Sequence, residues 1–306
     1  MIYTVTLNPS LDFLSGVDSL KAGRTNYSTF DTMNAGGRAI NISRMLNLMD
    51  IPSTATGFVG GKTGEFIEEA LTSEGVAHNF VHIAQNTRIN LSIFDGSTET
   101  RILGKGAEIS INEINTLMYY LSRIREGDFL IIAGSLPGSM SSDVYNRMIE
   151  IALVNGAEFL PIISKEYLID TLAKKPLLIT PTLSDLSDML EDDFRSEEEI
   201  IGGAIQCLDM GAQNVLVNLG LDGSIFITKD KRAFRSKGPE GKIVSETYTG
   251  IALVAGFVSD YMRLNDPEAA FSSAQAVSNA TYKEKALPAL PCIHEEQERD
   301  LVVPLN

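Results

Sequence analysis

The chain has 306 residues, enough to bury a large core, and 44% of them are hydrophobic, so it is a globular chain rather than a disordered one. Its 40 acidic residues against 25 basic ones give a formal charge of −15, a field that repels nucleic acid and anionic membrane. Two cysteines, Cys207 and Cys292, are too few for a disulfide framework and suit a reducing cytoplasm. The first residues lack a basic segment followed by a long apolar one, and no apolar run has bilayer length, so neither a signal peptide nor a membrane span is expected.

In chain order, TLNPSLDF (6–13) ends a first strand and delivers Asp12 at its carboxyl end, where ligands bind in open α/β sheets. An aspartate there accepts bonds from sugar hydroxyls or merely caps a turn. Residues 10–33 and 86–105 alternate apolar with polar positions, and the second stretch carries an Asp95-Gly96 turn. Both read as one small antiparallel piece, a lid over one edge of the main sheet. NAGGRAINISRML (34–46) places paired glycines before a helix with Ile42, Met45, Leu46 and Met49 on one face. Arg38 in its first turn opposes the helix dipole, which an anionic ligand would compensate; a plain glycine turn before a core helix is the other reading. GFVGGKTGEF (57–66) invites comparison with a phosphate-binding loop, but that register puts Thr56 where the first glycine belongs, so a turn into a helix containing Phe66, Ile67, Ala70 and Leu71 is expected.

From about residue 110 helical patterns alternate with short apolar runs. INTLMYYLSRI puts Ile114, Leu117, Leu121 and Ile124 on one face, and SDVYNRMIEIAL does so with Val144, Met148, Ile149 and Ala152. FLIIAGS, AEFLPII, PLLIT, NVLVNLG and GSIFITKD read as strands, with EEEIIGGAIQCLDMG as a helix among them. Strands buried on both faces with helices between them predict a doubly wound, mostly parallel sheet flanked by helices, one domain over 1–306 with the lid as its appendage. His78, His82 and His294 lack metal spacing, and no GxSxG element is present.

Taken together, TLNPSLD, NAGGRAIN, TRIN, GSLP and TGIALVAGF stand in the order and spacing of a known family. The chain resembles the ribokinase-like, phosphofructokinase-B-type sugar kinases over about residues 1–290, in particular the branch of 1-phosphofructokinase and tagatose-6-phosphate kinase. That resemblance implies a ribokinase-like α/β fold with a β lid that serves as a homodimer contact. It also implies phosphorylation of a sugar phosphate by ATP with Mg2+. On the sugar side Asp12 matches the aspartate that holds sugar hydroxyls, and Gly36, Gly37 and Asn41 match the glycine-rich sugar site. Arg38 stands in the usual lysine place, and Arg88 and Asn90 match lid residues that touch the substrate and its phosphate.

The other half departs from the pattern. The family's D-T-x-G-A-G-D, whose turn forms an anion hole and whose last aspartate is the base, falls on residues 245–251. Ile251 takes the base position, Tyr248 the place of a turn glycine, and Thr249 and Gly250 remain beside the hole. The metal-linked N-x-x-E becomes Thr182 through Asp185, leaving Asp185 as the one metal candidate. The lysine before it becomes Thr180, and D-T-S-G becomes Ile162, Ile163, Ser164 and Lys165. Asn218, Gly220 and Gly223 match the nucleotide-side turn. Isoleucine neither accepts a proton nor binds magnesium, and loss of a positioned base lowers rates by about 10²–10⁴-fold. The resemblance therefore implies a sugar-phosphate kinase with impaired transfer, or a kinase-derived protein that binds sugar phosphate or nucleotide as a sensor or partner. Glu246, five residues upstream of the base position, could substitute only if its loop reorganised.

Overall fold

Runs of aliphatic residues with no polar side to turn outward form the centre of the protein. The computed structural model describes residues 1–96 and 98–305. Strands β1 (Ile2–Thr6), β4 (Ser53–Val59), β5 (Val81–His82), β8 (Phe129–Ala133) and β9 (Glu158–Ile162) make a parallel sheet in the order β5-β4-β1-β8-β9. Within β8, Leu130 and Ile132 face one core while Phe129 and Ile131 face another, which is why the run shows no alternation in sequence. The first core is closed by helices α3 (Ile111–Leu121), α4 (Asp143–Val154), α6 (Leu183–Leu190) and α7 (Glu197–Asp209). The second is closed by α1 (Arg38–Leu48), α8 (Thr249–Leu264) and α9 (Pro267–Thr281). Helices α2 (Gly61–Ser73), α5 (Lys165–Thr171) and α10 (Leu290–Gln297) complete the chain. The doubly wound reading is met. Helices α8 and α9 approach closely at Gly256, where a Cβ would lie 2.6 Å from the Ser273 carbonyl oxygen.

Two strand expectations need correction. PLLIT (176–180) forms no strand of its own: it begins with Pro176 and is followed by Pro181, neither of which has an N–H group, and it makes only an isolated parallel bridge from Ile179 to Val215. It still joins two sheets, because Leu177 N–H donates to Phe159 and Leu216 N–H to Ile179. Beyond it, β10 (Val215–Asn218), β11 (Ser224–Ile227), β12 (Ala233–Ser236) and β13 (Val302–Leu305) form an antiparallel sheet rather than more of the parallel series. The link from β10 to β11 is the short turn Gly220–Asp222, too short for a crossover.

The stretches expected to form the lid supply β2 (Ser10–Gly16), β3 (Phe30–Gly36), β6 (Arg88–Phe94) and β7 (Glu99–Ile102), in the order β3-β2-β6-β7. This sheet is mixed, not purely antiparallel: the outer pairings are antiparallel, but β2 and β6 run parallel, linked through β3, α1, β4, α2 and β5 rather than by a hairpin. The expected Asp95-Gly96 turn joins β6 to β7, and Ser97 lies outside the described residues. Register sorts the two faces. Asp12, Asn34 and Asn90 stand in one row on one face, whereas Phe13, Met33, Leu91 and Ile102 line the other.

Candidate active site

The polar row is held together at Asp12. Its Oδ1 accepts from Ser10 Oγ at 2.6 Å and from Asn90 Nδ2 at 2.9 Å, while Asn90 Oδ1 accepts from Gly104 N–H at 3.2 Å. Oδ2 has no hydrogen-bond partner among the described residues, which leaves one open acceptor on a fixed carboxylate. It lies against Gly36, where a Cβ would come within 2.3 Å of it. The next residue, Gly37, caps α1 with φ 131°, a conformation that favours glycine, and offers no side chain to the first N–H groups of the helix. Arg38 follows, exposed, and has no carboxylate partner among the described residues. It lies near enough to Tyr145 to oppose the burial that pushes that phenol up to about 12.

Two of the expected sugar-side residues are engaged internally. Asn41 Oδ1 accepts from Arg44 Nη1 at 3.1 Å, leaving the Asn41 amide N–H groups free, and Arg44 makes a two-pronged pair with Glu74 at 2.6 Å on both arms. The Arg88 guanidinium donates to the backbone carbonyls of Asn8 at 3.0 Å and of Pro9 and Gly104 at 3.4 Å, bracing the entry to β2. Burial lowers its pKa, and Asp12 nearby works against that. Neither Arg44–Glu74 nor the role of Ser10 was visible in the sequence, because each joins residues far apart or relies on strand register.

At the end of β10, beside the start of α6, lies a cleft of ≈ 580 Å³ whose walls include Thr182, Asn218, Gly220, Glu246, Thr249 and Tyr282. Of the residues expected on the nucleotide side, Thr182, Asn218, Gly220 and Thr249 line it. Asn218 Oδ1 accepts from Gly220 N–H at 2.9 Å and so shapes the turn. Gly223 stands behind that turn with φ 88°, its Cα so near β12 that a Cβ would lie 2.4 Å from the Ser236 carbonyl oxygen. Asp185 caps α6: its Oδ2 accepts from Thr182 N–H at 3.1 Å and Thr182 Oγ1 at 2.7 Å, closing a capping box, and it is not part of the cleft wall. Lys165 pairs with Asp188 one turn further along α6.

The loop before α8 divides the two halves. Tyr248 caps the helix without a side-chain bond, and the first turn carries no acid, so the leading N–H groups are free and the dipole there is uncompensated. Gly250, in that turn, is exposed, and a Cβ on it would meet nothing within 4 Å. Thr249 Oγ1 donates to the Glu246 carbonyl at 3.2 Å, fixing the loop. Glu246 turns toward the cleft, whereas Tyr248 packs half-buried on the core beneath α1 and α8. Burial raises the Tyr248 pKa, Arg44 opposes the rise, and Asp12 and Glu74 add to it, which locates the phenol on the sugar side. Ile251 is 8% exposed and packs with Ala252, Val254 and Phe257.

Comparison with known proteins agrees with this geometry. The pfkB family carbohydrate kinase profile matches residues 10–289. A 1-phosphofructokinase of Bacillus subtilis (strain 168) is 34% identical over 281 residues, 92% of each chain. A D-tagatose-1-phosphate kinase of Bacillus licheniformis is 35% identical over 259 residues, 84% of each. A Staphylococcus aureus crystal structure, provisionally called a phosphofructokinase, superposes with a TM-score of 0.90 at 33% identity, covering 100% of this chain and 99% of that one. Escherichia coli phosphofructokinase-2 in complex with substrates and products has a TM-score of 0.91 at 24% identity, covering 97% and 98%, and shows the shared fold. The chain therefore belongs to the pfkB family of carbohydrate kinases.

Proposed function

We propose that the protein binds a ketohexose phosphate beside Asp12 and ATP in the cleft, and that it transfers the phosphoryl group slowly because no base faces the acceptor. The single observation that carries this is Ile251, aliphatic and packed into the core at the head of α8. The naming of the relatives supports fructose 1-phosphate or a tagatose phosphate as acceptor. Asp12 Oδ2 supplies an open acceptor for a sugar hydroxyl, and Arg38, without a carboxylate partner among the described residues, supplies a cation for the sugar's own phosphate.

The cleft fits a nucleotide: its ≈ 580 Å³ is of ligand size, since such sites span about 300–1,000 Å³. Bound ATP would supply the phosphoryl group. The free N–H groups of α8 at Thr249 and Gly250 face developing negative charge and stabilise it, as helix N-termini do. Positioning and electrostatics supply most of the acceleration in phosphoryl transfer, so turnover persists at a reduced level. In this reading Asp185 is poorly placed for a metal-holding role, since its Oδ2 is engaged in the helix cap and it is not among the residues that line the cleft.

The four-stranded sheet acts in this reading as a lid and as the contact with a second copy of the chain. Its face opposite Asp12 leaves Met33, Ile89 and Ile102 exposed, an apolar strip suited to a like surface. A coupled ADP-release assay over fructose and tagatose 1- and 6-phosphates, paired with calorimetric binding, tests the whole reading. Binding with slow turnover is expected. Turnover at the pace usual for kinases, about 1–100 per second, overturns it.

A further inference from the structure

The engagement of Asp185 Oδ2 in a helix cap, away from the cleft lining, leaves open which group would hold a cation travelling with the nucleotide phosphates, a question that rests on the reading above. Five charged side chains line the cleft: Arg195, Glu197, Asp222, Arg235 and Glu246. Arg195 is bonded to Asp193 at 2.7 Å and Arg235 to Glu197 at 3.1 Å, so neither arginine is a free counter-charge. The carboxylates of Asp222 and Glu246 have no ion-pair or hydrogen-bond partner among the described residues. A polyphosphate entering such a cleft meets net repulsion unless a cation enters with it. Magnesium in sites of this chemistry keeps several waters and takes one or two protein carboxylates together with phosphate oxygens.

Of the two free carboxylates, Glu246 is the one beside the anion-binding mouth of α8. Its carbonyl is tied to Thr249 Oγ1, the residue that opens that helix, so its backbone is fixed where phosphates would lie. Asp222 belongs instead to the Gly220–Asp222 turn that follows β10. We propose that Glu246 is the carboxylate that holds the divalent cation accompanying the nucleotide phosphates, in the role the resemblance would give to Asp185. Because Glu246 lines the nucleotide wall rather than the Asp12 row, it does not replace the missing base. The chain has thus kept a means of holding a charged nucleotide while lacking one for taking the acceptor's proton.

Calorimetric titration of the full chain with ADP, in magnesium and in EDTA, tests this without reference to turnover. Magnesium is expected to tighten ADP binding to the unaltered chain by roughly tenfold or more, about 1.4 kcal/mol. In E246Q that enhancement shrinks to about twofold or less, while metal-free binding is no weaker than in the unaltered chain, because a repelling carboxylate has gone. E246D, which keeps the charge, retains part of it. An enhancement unchanged in E246Q, one abolished only by D185N, or none in the unaltered chain overturns the inference and leaves nucleotide binding standing. Failure of ADP to bind in either medium overturns both.

Discussion

Replacing Gly36 by alanine isolates the sugar side from the rest of the molecule. The residue has no positive φ, so the backbone accepts a side chain there. The obstacle is the Asp12 carboxylate, whose Oδ2, Cγ and Oδ1 would stand 2.3, 2.5 and 2.6 Å from the new methyl. Relief requires the carboxylate to swing away by about 1 Å, a displacement of the order that costs 10²-fold when it falls on a positioning group. The swing also pulls Oδ1 off its bonds to Ser10 and Asn90 at 2.6 and 2.9 Å. A hydrogen bond to a charged group contributes about 1.5–3 kcal/mol, so losing the one between a sugar hydroxyl and the displaced Oδ2 sets a fall of about 10–10²-fold in affinity. Titration of Gly36→Ala with fructose 1-phosphate or tagatose 6-phosphate should show that loss, with ADP binding unchanged because the cleft shares none of these atoms. Sugar-phosphate binding within about twofold of the unaltered chain would refute the role given to Asp12.

Two further outcomes bear on the frame and the assembly. Lys283→Met leaves Oε1 of the fully buried Glu296 without its ammonium partner at 2.8 Å, with Arg299 still on Oε2, and should lower stability by about 2 kcal/mol in urea unfolding. The Lys283 pKa is raised, chiefly by its close contact with the Glu296 carboxylate, so this stabilisation is whole below the ordinary lysine value of 10.5 and fades as pH climbs through the higher folded value. The gap between the two proteins should hold from neutral pH to about 10 and then narrow; closure below pH 8 would contradict the pairing. Sedimentation should give a dimer for the unaltered chain and a monomer for Met33→Glu, whose charge would lie on the exposed apolar strip of the lid. A dimer that survives this change would place the contact elsewhere.

The parallel core was legible because its strands bury both faces and its helices carry clean apolar stripes, as at Leu117 and Leu121 or Met148 and Ile149. The sequence gives no comparable signal for the direction of a strand: β11 is as apolar as β8, and only the length of the turn before it makes it antiparallel. The lid's two faces followed the period-two pattern, but the parallel pairing of β2 with β6 depends on the path of the intervening chain. At the site, Asp12 and the paired glycines could be read from their place after a strand and before a helix. The stretch TLSD (182–185) carries the Thr-x-x-acid spacing of a capping box, a local signal that competes with any metal role and that the structure realises. The parting of Glu246 and Tyr248 to opposite sides of one loop is a matter of tertiary packing against α1, which spacing alone does not encode.

The most direct measurement is ADP release at saturating sugar phosphate and ATP by the unaltered chain and by the pair Ile251→Asp, Tyr248→Gly, with binding of both ligands verified in each. The account predicts that restoring the carboxylate and opening the turn raises the rate by about 10²–10⁴-fold. A rate no higher than that of the unaltered chain, in a variant that still binds both ligands, would contradict the claim that the side chain at position 251 limits this protein's chemistry.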